Sequence, residues 1–149
     1  MTSERQVKAF LAKYSPEIAA RGQAARRRLR HTLPGWSELV YDNYNALVFG
    51  FSPTERPSDA VFSIALYPRW VRLFFLKDAP LLHDPQKLLT GKGARIRSLV
   101  LHSASDLDSP AVRALMQQAM AGIAPDRPAR LAATTVRSVS ARQRPRRPR

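Results

Sequence analysis

One central segment constrains the fold more than any other part of the chain. Two apolar runs, 61–67 and 70–77, are separated only by Pro68 and Arg69. Because two residues are too few for a crossover connection, the runs predict two antiparallel strands joined by a tight turn. Both alternating sets of side chains in each run are largely apolar, whereas one apolar face is enough for an antiparallel sheet. The second face is therefore predicted to be a ligand groove or an association surface, unless the helices and residues 78–94 wrap it.

Hydrophobic periodicity divides the first 123 residues into an ordered set of elements. Apolar residues spaced three and four apart predict helices at both ends of this region, with Ser15 and Ser109 as N-caps before proline. Alternating apolar residues predict five strands between them. The predicted helices are 3–14, 15–33, 84–89 and 109–123, and the predicted strands are 38–41, 45–51, 61–67, 70–77 and 95–101. This order predicts an α+β domain with an antiparallel sheet of about five strands.

The net charge of +14, from 25 Lys and Arg against 11 Asp and Glu, is unevenly distributed. Residues 124–149 hold eight arginines and one acidic residue, Asp126, together with four prolines and no aromatic side chain. Such a segment buries too little apolar surface to offset its ordering entropy, so it is predicted to be a disordered basic tail after a domain at 1–123. Because arginine gains affinity for phosphates by releasing counterions, the tail and the arginines of residues 26–30 suggest non-specific binding of nucleic acid.

Several protein classes are excluded by what the sequence lacks. Without cysteine, the chain has no disulfide, no thiolate metal site and no cysteine nucleophile. A membrane-spanning helix is not expected, because no apolar run reaches about 18 residues. The first ten residues include Glu4, Arg5 and Lys8 and lack the apolar core of a secretory signal, which predicts a cytoplasmic protein.

Five residues are predicted to rim a ligand site on the open face. Tyr41 and Asn43 belong to a cluster of aromatic and hydrogen-bonding side chains at the start of the sheet. Tyr67, Trp70 and Arg72 flank the tight turn of the central hairpin. Aromatic walls with a few polar groups are what a small-molecule pocket needs. The alternative is that the first cluster only forms a turn, with its tyrosine hydroxyls in water.

The glycine-containing loop near residue 91 is a candidate anion site. Gly91 and Gly93 would let backbone N–H groups converge, and Lys92, Arg95 and Arg97 supply positive charge. The order of helix, loop and strand differs from a Walker A loop, which follows a strand and opens a helix. The alternative is an ordinary turn in which the first glycine ends the preceding helix.

The chain offers no recognisable metal or catalytic motif. The histidines His31, His83 and His102 do not form a His-x-x-x-His pair, and a basic domain repels cations. Asp106 and Asp108 lie near His102 but precede a helix start, which such carboxylates commonly cap. Neither a nucleophile elbow nor a zinc-protease motif is present. No metal ligand or catalytic residue is therefore predicted, and the sequence indicates a binding protein rather than an enzyme.

A series of short motifs follows in a fixed order along residues 7–123. They are 34–35, 41–44, 62–65, 73–75, 84–89, 91–93 with Arg97, 106–107, and Val112 with Leu115. This ordered set resembles the YdhG-like family, also described as domain of unknown function 1801. The resemblance implies a curved antiparallel sheet, distantly similar to frataxin, and an iron-related role, because one member has been proposed as an iron chaperone. The chain departs from the family at Ala94, where lysine is frequent, and its own lysine lies between the glycines, at Lys92.

Two functional hypotheses follow. In the first, the chain is a small binding domain that holds a small molecule or a metal-linked ligand on the open face of its sheet. In the second, it associates with nucleic acid through residues 124–149. Neither a cofactor nor an oligomeric state is indicated by the residues.

Overall fold

The computed structural model describes residues 2–149 of the chain. Within this range it contains three α-helices and six β-strands, with short 3₁₀ turns between them. The helices are α1 (Ser3–Leu11), α2 (Pro16–Thr32) and α3 (Pro110–Met120), and the strands are β1 (Ser37–Asp42), β2 (Leu47–Ser52), β3 (Phe62–Leu66), β4 (Val71–Phe75), β5 (Arg97–Leu101) and β6 (Thr134–Val139).

The six strands form one sheet in the order β5-β4-β3-β2-β1-β6. Neighbours from β5 to β1 are antiparallel, and β6 lies parallel to β1. The turn at Pro68 and Arg69 joins β3 to β4 and sets Phe62 opposite Phe75, as the central apolar runs predict. The α+β class is therefore confirmed, with a mixed sheet of six strands in place of the antiparallel sheet of about five.

Each α-helix begins at a hydroxyl cap. The side chains of Thr2, Ser15 and Ser109 accept hydrogen bonds from backbone N–H groups three residues later. Pro16 and Pro110 occupy the first helical position of α2 and α3, where a missing N–H has no consequence. Within residues 2–149, the helices fall short of the length and apolar content that a membrane-spanning segment requires.

The helices pack against one side of the sheet, which we call the covered face. The closest approach of α2 is at Gly22, where a Cβ atom would overlap the Leu66 side chain, so the glycine permits the contact. Phe62 is fully buried on this face, with its ring centroid 6.1 Å from that of Trp36 and 5.5 Å from that of Phe75. The apolar stripe of α3 joins the same core.

A buried ion pair ties α2 to β1 on the covered face. Arg26 is fully buried and donates two hydrogen bonds to the Glu38 carboxylate, at 2.7 and 2.8 Å, and two to that of Glu4 of α1, at 2.6 and 3.3 Å. Its guanidinium lies 5.2 Å from the ring centroid of Phe49. Thr134 of β6 donates to the same Glu38 carboxylate at 2.7 Å. Arg26 therefore stabilises the fold and is not a surface residue.

The helix predicted at 84–89 is absent from the structure. The Asp84 carboxylate accepts hydrogen bonds from the backbone N–H groups of Leu88 and Leu89, at 3.0 and 2.9 Å. These bonds replace the backbone hydrogen bonds of a helix, because short acidic side chains often bind nearby backbone N–H groups themselves. Gly91 consequently ends no helix.

The C-terminal segment differs most from its prediction. Residues 124–149 form a 3₁₀ turn and strand β6 rather than a disordered tail, and they extend the sheet of the domain at 1–123. Thr134 lies opposite Glu38 and Val139 opposite Asp42. The β-branched residues of this run suit a strand, but its flanking prolines and arginines dominate the local composition. Strand β6 pairs with β1, which lies about a hundred residues earlier in the chain, and local composition does not reveal this pairing.

Candidate functional site

The side of the sheet opposite the helices, which we call the open face, is not covered by helices. One row of neighbouring Cα partners crosses it from β1 to β5, namely Tyr41, Val48, Ala65, Arg72 and Val100. Val48, Phe74 and Val100 are half-buried, and they lie outside the core cluster formed by residues 2–149. The alternative in which residues 78–94 wrap this face does not hold, because Leu82, Leu88 and Leu89 of that segment pack against the core of the covered face.

The structure brings four of the five predicted ligand residues to this face. Strand alternation sets Tyr41, Tyr67, Trp70 and Arg72 on the side opposite the core. The Arg72 guanidinium donates to the Ser98 hydroxyl at 3.0 Å. Asn43 lies just beyond the end of β1, where its side-chain oxygen accepts a hydrogen bond from Ser138 at 3.0 Å, so it belongs to the β1–β6 edge.

The middle of the open face carries a strip of small residues, which we call the trough. Gly50, Ser63 and Ala65 are buried on β2 and β3, between the larger side chains of the outer strands. The Tyr41 ring leans over Gly50, because a Cβ atom there would lie 3.8 Å from the ring carbon Cε2. Small residues let a flat group approach the backbone closely. The trough therefore suits a planar ligand.

A cleft of about 580 Å³ adjoins the turn between β3 and β4. We call it the arginine cleft, and its principal lining residues are Arg69, Arg144, Arg147, Arg149, Asn45 and Tyr67. One arginine comes from the β3–β4 turn and three from residues 140–149, which we call the arm. Within residues 2–149, these four guanidinium groups make no salt bridge. The cleft therefore concentrates uncompensated positive charge.

Tyr67 connects the open face to the arginine cleft. It follows β3 on the open side and also lines both the arginine cleft and a second cleft of about 360 Å³ that includes Asn43 and Tyr44. Burial raises the pKa of Tyr67, and the nearby Arg72 charge opposes this shift without cancelling it. Its phenol is consequently neutral near pH 7 and able to donate a hydrogen bond.

One buried arginine, Arg146, ties the arm to the domain beside hydrogen bonds from Ser140, Gln143 and Arg144 to backbone carbonyls of Asp42 and Tyr44. Arg146 donates to Asp42 Oδ1 at 3.0 Å and to the backbone carbonyl oxygens of Asn43 and Tyr44. Its guanidinium lies 5.7 Å from the ring centroid of Tyr14. The arginines on either side of it are thereby fixed at the cleft. Arg146 is a positioning residue, since its own charge is paired with that of Asp42 inside the fold.

The Asp42 carboxylate accepts hydrogen bonds both from the arm, through Arg146, and from Lys13, which follows α1. It is fully buried, and Lys13 donates to its second oxygen at 2.7 Å. Burial raises the pKa of Asp42, but hydrogen bonds from Lys13, Gln143 and Arg146 outweigh burial and hold the pKa below its ordinary value. Asp42 is therefore a charged group at neutral pH, and docking of the arm depends on that charge.

The predicted anion loop is separate from this site. Thr90 and Ser98 exchange backbone hydrogen bonds and close residues 91–97 into a loop beside β5. Arg97 is half-buried on the covered side, and its Nε donates to the Gly93 carbonyl at 3.1 Å. Lys92 and Arg95 are exposed. The three predicted cations therefore do not converge on the open face.

The arginines of α2 do not form a shared patch. Arg28 pairs with Asp108 and Arg30 with Glu4, while Arg26 is buried. Asp106 accepts from the His102 N–H at 2.8 Å, which satisfies the backbone before α3. Within residues 2–149, no group of three or more His, Asp or Glu side chains is arranged to hold a metal ion, so the iron role stays an expectation.

Sequence reasoning missed the arm as part of the site. The β-branched residues within 134–139 were the available signal for a strand, and a strand there carries the following arginines to the β1–β2 turn. Arg69 was visible only as a turn residue. No local pattern indicates that a turn arginine and the C-terminal arginines line one cleft.

Comparison with protein-family models, with curated proteins and with solved structures found no match to this chain.

Proposed function

We propose that this protein is a binding protein that holds a phosphate-bearing ligand in the arginine cleft. The observation that carries the proposal is the group of four arginines lining one cleft with no acidic side chain among its lining residues. Guanidinium groups recognise phosphate through paired, charge-assisted hydrogen bonds. Tyr67 and Asn45 add an aromatic wall and an amide, which suit an organic group attached to the phosphate.

The proposal draws on both hypotheses from the sequence. The first concerned ligand residues around the open face, and Tyr67 is one of them. The second concerned phosphate binding by residues 124–149, and the arm is part of that segment. Tyr67 from the first set and three arginines of the arm from the second line the arginine cleft, so one ligand can contact both. The loop with Lys92, Arg95 and Arg97 is not part of the proposal.

Calorimetric titration with inorganic pyrophosphate tests the proposal. The variant Arg69→Ala/Arg149→Ala removes two cleft charges whose side chains make no internal hydrogen bond among residues 2–149. We expect its affinity to fall at least tenfold, because each lost hydrogen bond to a charged group is worth about 1.5–3 kcal/mol.

The matched control is Arg5→Ala/Arg113→Ala, which removes two exposed arginines from α1 and α3 and changes the net charge equally. It should bind pyrophosphate within twofold of the wild-type protein. Unfolding temperatures establish that both variants are folded. Equal affinities of the two double variants, or no binding by the full chain, overturn the proposal.

A further inference from the structure

We infer that the ligand is a single-stranded nucleic acid, with phosphates in the arginine cleft and bases on the open face. This inference rests on the proposed function and specifies its ligand. The cleft and the face adjoin, since Tyr67 lines the cleft and also lines the second cleft together with Val48 of the row that crosses the open face. A ligand that fills both must carry phosphate groups along one side and planar groups along the other.

The charges of the two faces favour a polyanion on the open one. The acidic residues found within the six strands are Glu38 and Asp42, and both lie on the covered face in buried ion pairs. Arg72 is the charged residue of the row that crosses the open face. A polyanion approaching this face therefore meets arginine and no strand carboxylate. Such a field accelerates and strengthens binding of nucleic acid.

The open face also carries aromatic side chains on which bases can stack. Tyr41 and Phe74 flank the trough of small residues, and Trp70 stands at the end nearest the cleft with 44% of its surface exposed. Tyr44, beside the arm, is 46% exposed. Base stacking on aromatic rings is sequence-tolerant because every base has a π-face. Exposed tryptophan and tyrosine beside arginine are typical of such sites.

The dimensions of the face fit a few nucleotides. Tyr41 and Arg72 lie on strands three places apart in the sheet, which corresponds to about 14 Å at ~4.8 Å per strand. A duplex would hide the faces of its bases, whereas a single strand presents them to the protein. The aromatic trough therefore favours a single strand over a duplex.

Fluorescence anisotropy with a labelled 12-nucleotide oligothymidylate tests the inference on the full chain. Trp70→Ala should weaken binding about tenfold, because one stacked base is lost, whereas Trp70→Phe should retain most of the affinity. The matched control is Leu81→Ala, at an exposed apolar residue 83% accessible to solvent and outside the cleft lining. Trp36 is buried, so quenching of tryptophan emission by the oligonucleotide should report Trp70 and should vanish in Trp70→Phe.

Salt dependence supplies a second measurement. The plot of log Kobs against log salt should lose up to about 1.4 in slope in Arg69→Ala/Arg149→Ala, at ~0.7 for each phosphate contact with a single strand. The same plot for Trp70→Ala should keep the wild-type slope, because stacking releases no counterions. These two variants thus separate phosphate contacts from base contacts.

The outcomes distinguish the inference from the proposed function. If Trp70→Ala binds the oligonucleotide as tightly as the wild type, or if a duplex of the same length binds equally well, the inference is overturned while pyrophosphate binding in the cleft stands. If Arg69→Ala/Arg149→Ala leaves both pyrophosphate and oligonucleotide binding unchanged, both are overturned. Losses at Trp70 confined to the single strand, with losses at the arginines for both ligands, support both.

Discussion

The covered and open faces of the sheet share the same strands but differ in what surrounds their side chains. On the covered face, Phe62 lies between two other aromatic rings and under the helices. On the open face, Phe74 of the neighbouring strand is half-buried and lies outside the core cluster. Apolar alternation alone would have ranked the two phenylalanines equally. Their difference shows that the helices, not the strand composition, decide which face is core.

The charges differ between the faces in the same way. The carboxylates of Glu38 and Asp42 lie on the covered face, where Arg26 and Arg146 neutralise them. The open face keeps Arg72 beside a serine, with no carboxylate partner. Buried ion pairs therefore hold β1, while Arg72 makes no salt bridge among residues 2–149. The predictions below test this contrast in order of decreasing effect.

Removing one aromatic ring from each face should give the largest difference. Phe62→Ala is expected to lower the free energy of unfolding by about 4 kcal/mol, since it leaves a cavity in a packed core. Phe74→Ala should cost about 1 kcal/mol, because water reaches the vacated space. Urea unfolding of the two variants measures both values. Similar losses would mean that the open face is as tightly packed as the covered one.

Removing one arginine from each face is the next test. Arg26→Ala leaves the buried Glu38 carboxylate with only the Thr134 hydroxyl, so a loss of about 3 kcal/mol is expected. Arg72→Ala should cost about 0.5 kcal/mol, as typical for a partly exposed polar contact. The comparison uses the same urea titration. A loss at Arg72 as large as that at Arg26 would contradict the assignment of the open face to ligand binding.

The arm gives an intermediate effect. Arg146→Ala should lower the free energy of unfolding by about 2 kcal/mol, because the buried Asp42 loses a donor. Its exposed neighbour Arg147, changed to alanine as the control, should cost no more than about 0.5 kcal/mol. Trypsin should also cleave the bond after Arg142, which both variants keep, faster in Arg146→Ala than in the control. Unchanged cleavage would show that Arg146 does not hold the arm.

The smallest effect appears only in acid. Because the folded-state pKa of Asp42 is lowered, its contribution to stability is complete above the unfolded-state pKa of about 3.9. The contribution is lost as the pH falls through the lowered folded-state value. The stability difference between wild type and Asp42→Asn should therefore be constant near neutrality and shrink below about pH 4. Arg72→Ala, on the face without strand carboxylates, should keep a constant difference, and a matching decline there would count against the charge contrast.

Local patterns predicted most of the fold but only half of the candidate site. Ser15 with Pro16 and Ser109 with Pro110 identify helix starts, since caps and proline act within one turn. The prediction of a short helix at 84–89 was wrong. The backbone N–H groups of Leu88 and Leu89 donate to the Asp84 carboxylate instead of to helical carbonyl oxygens. Tyr67 and Trp70 were identified from their place beside the turn.

The sequence alone determined the central hairpin, its two apolar faces and the strong positive charge, because alternation and composition act over a few neighbouring residues. The tertiary structure decided which face the helices cover and where the last strand pairs. It also decided which arginines form ion pairs with Glu38 and Asp42 and which line the cleft without a salt bridge. Those outcomes depend on contacts between residues in different elements, from 12 positions apart for Arg26 with Glu38 to 104 for Arg146 with Asp42, for which no local pattern exists.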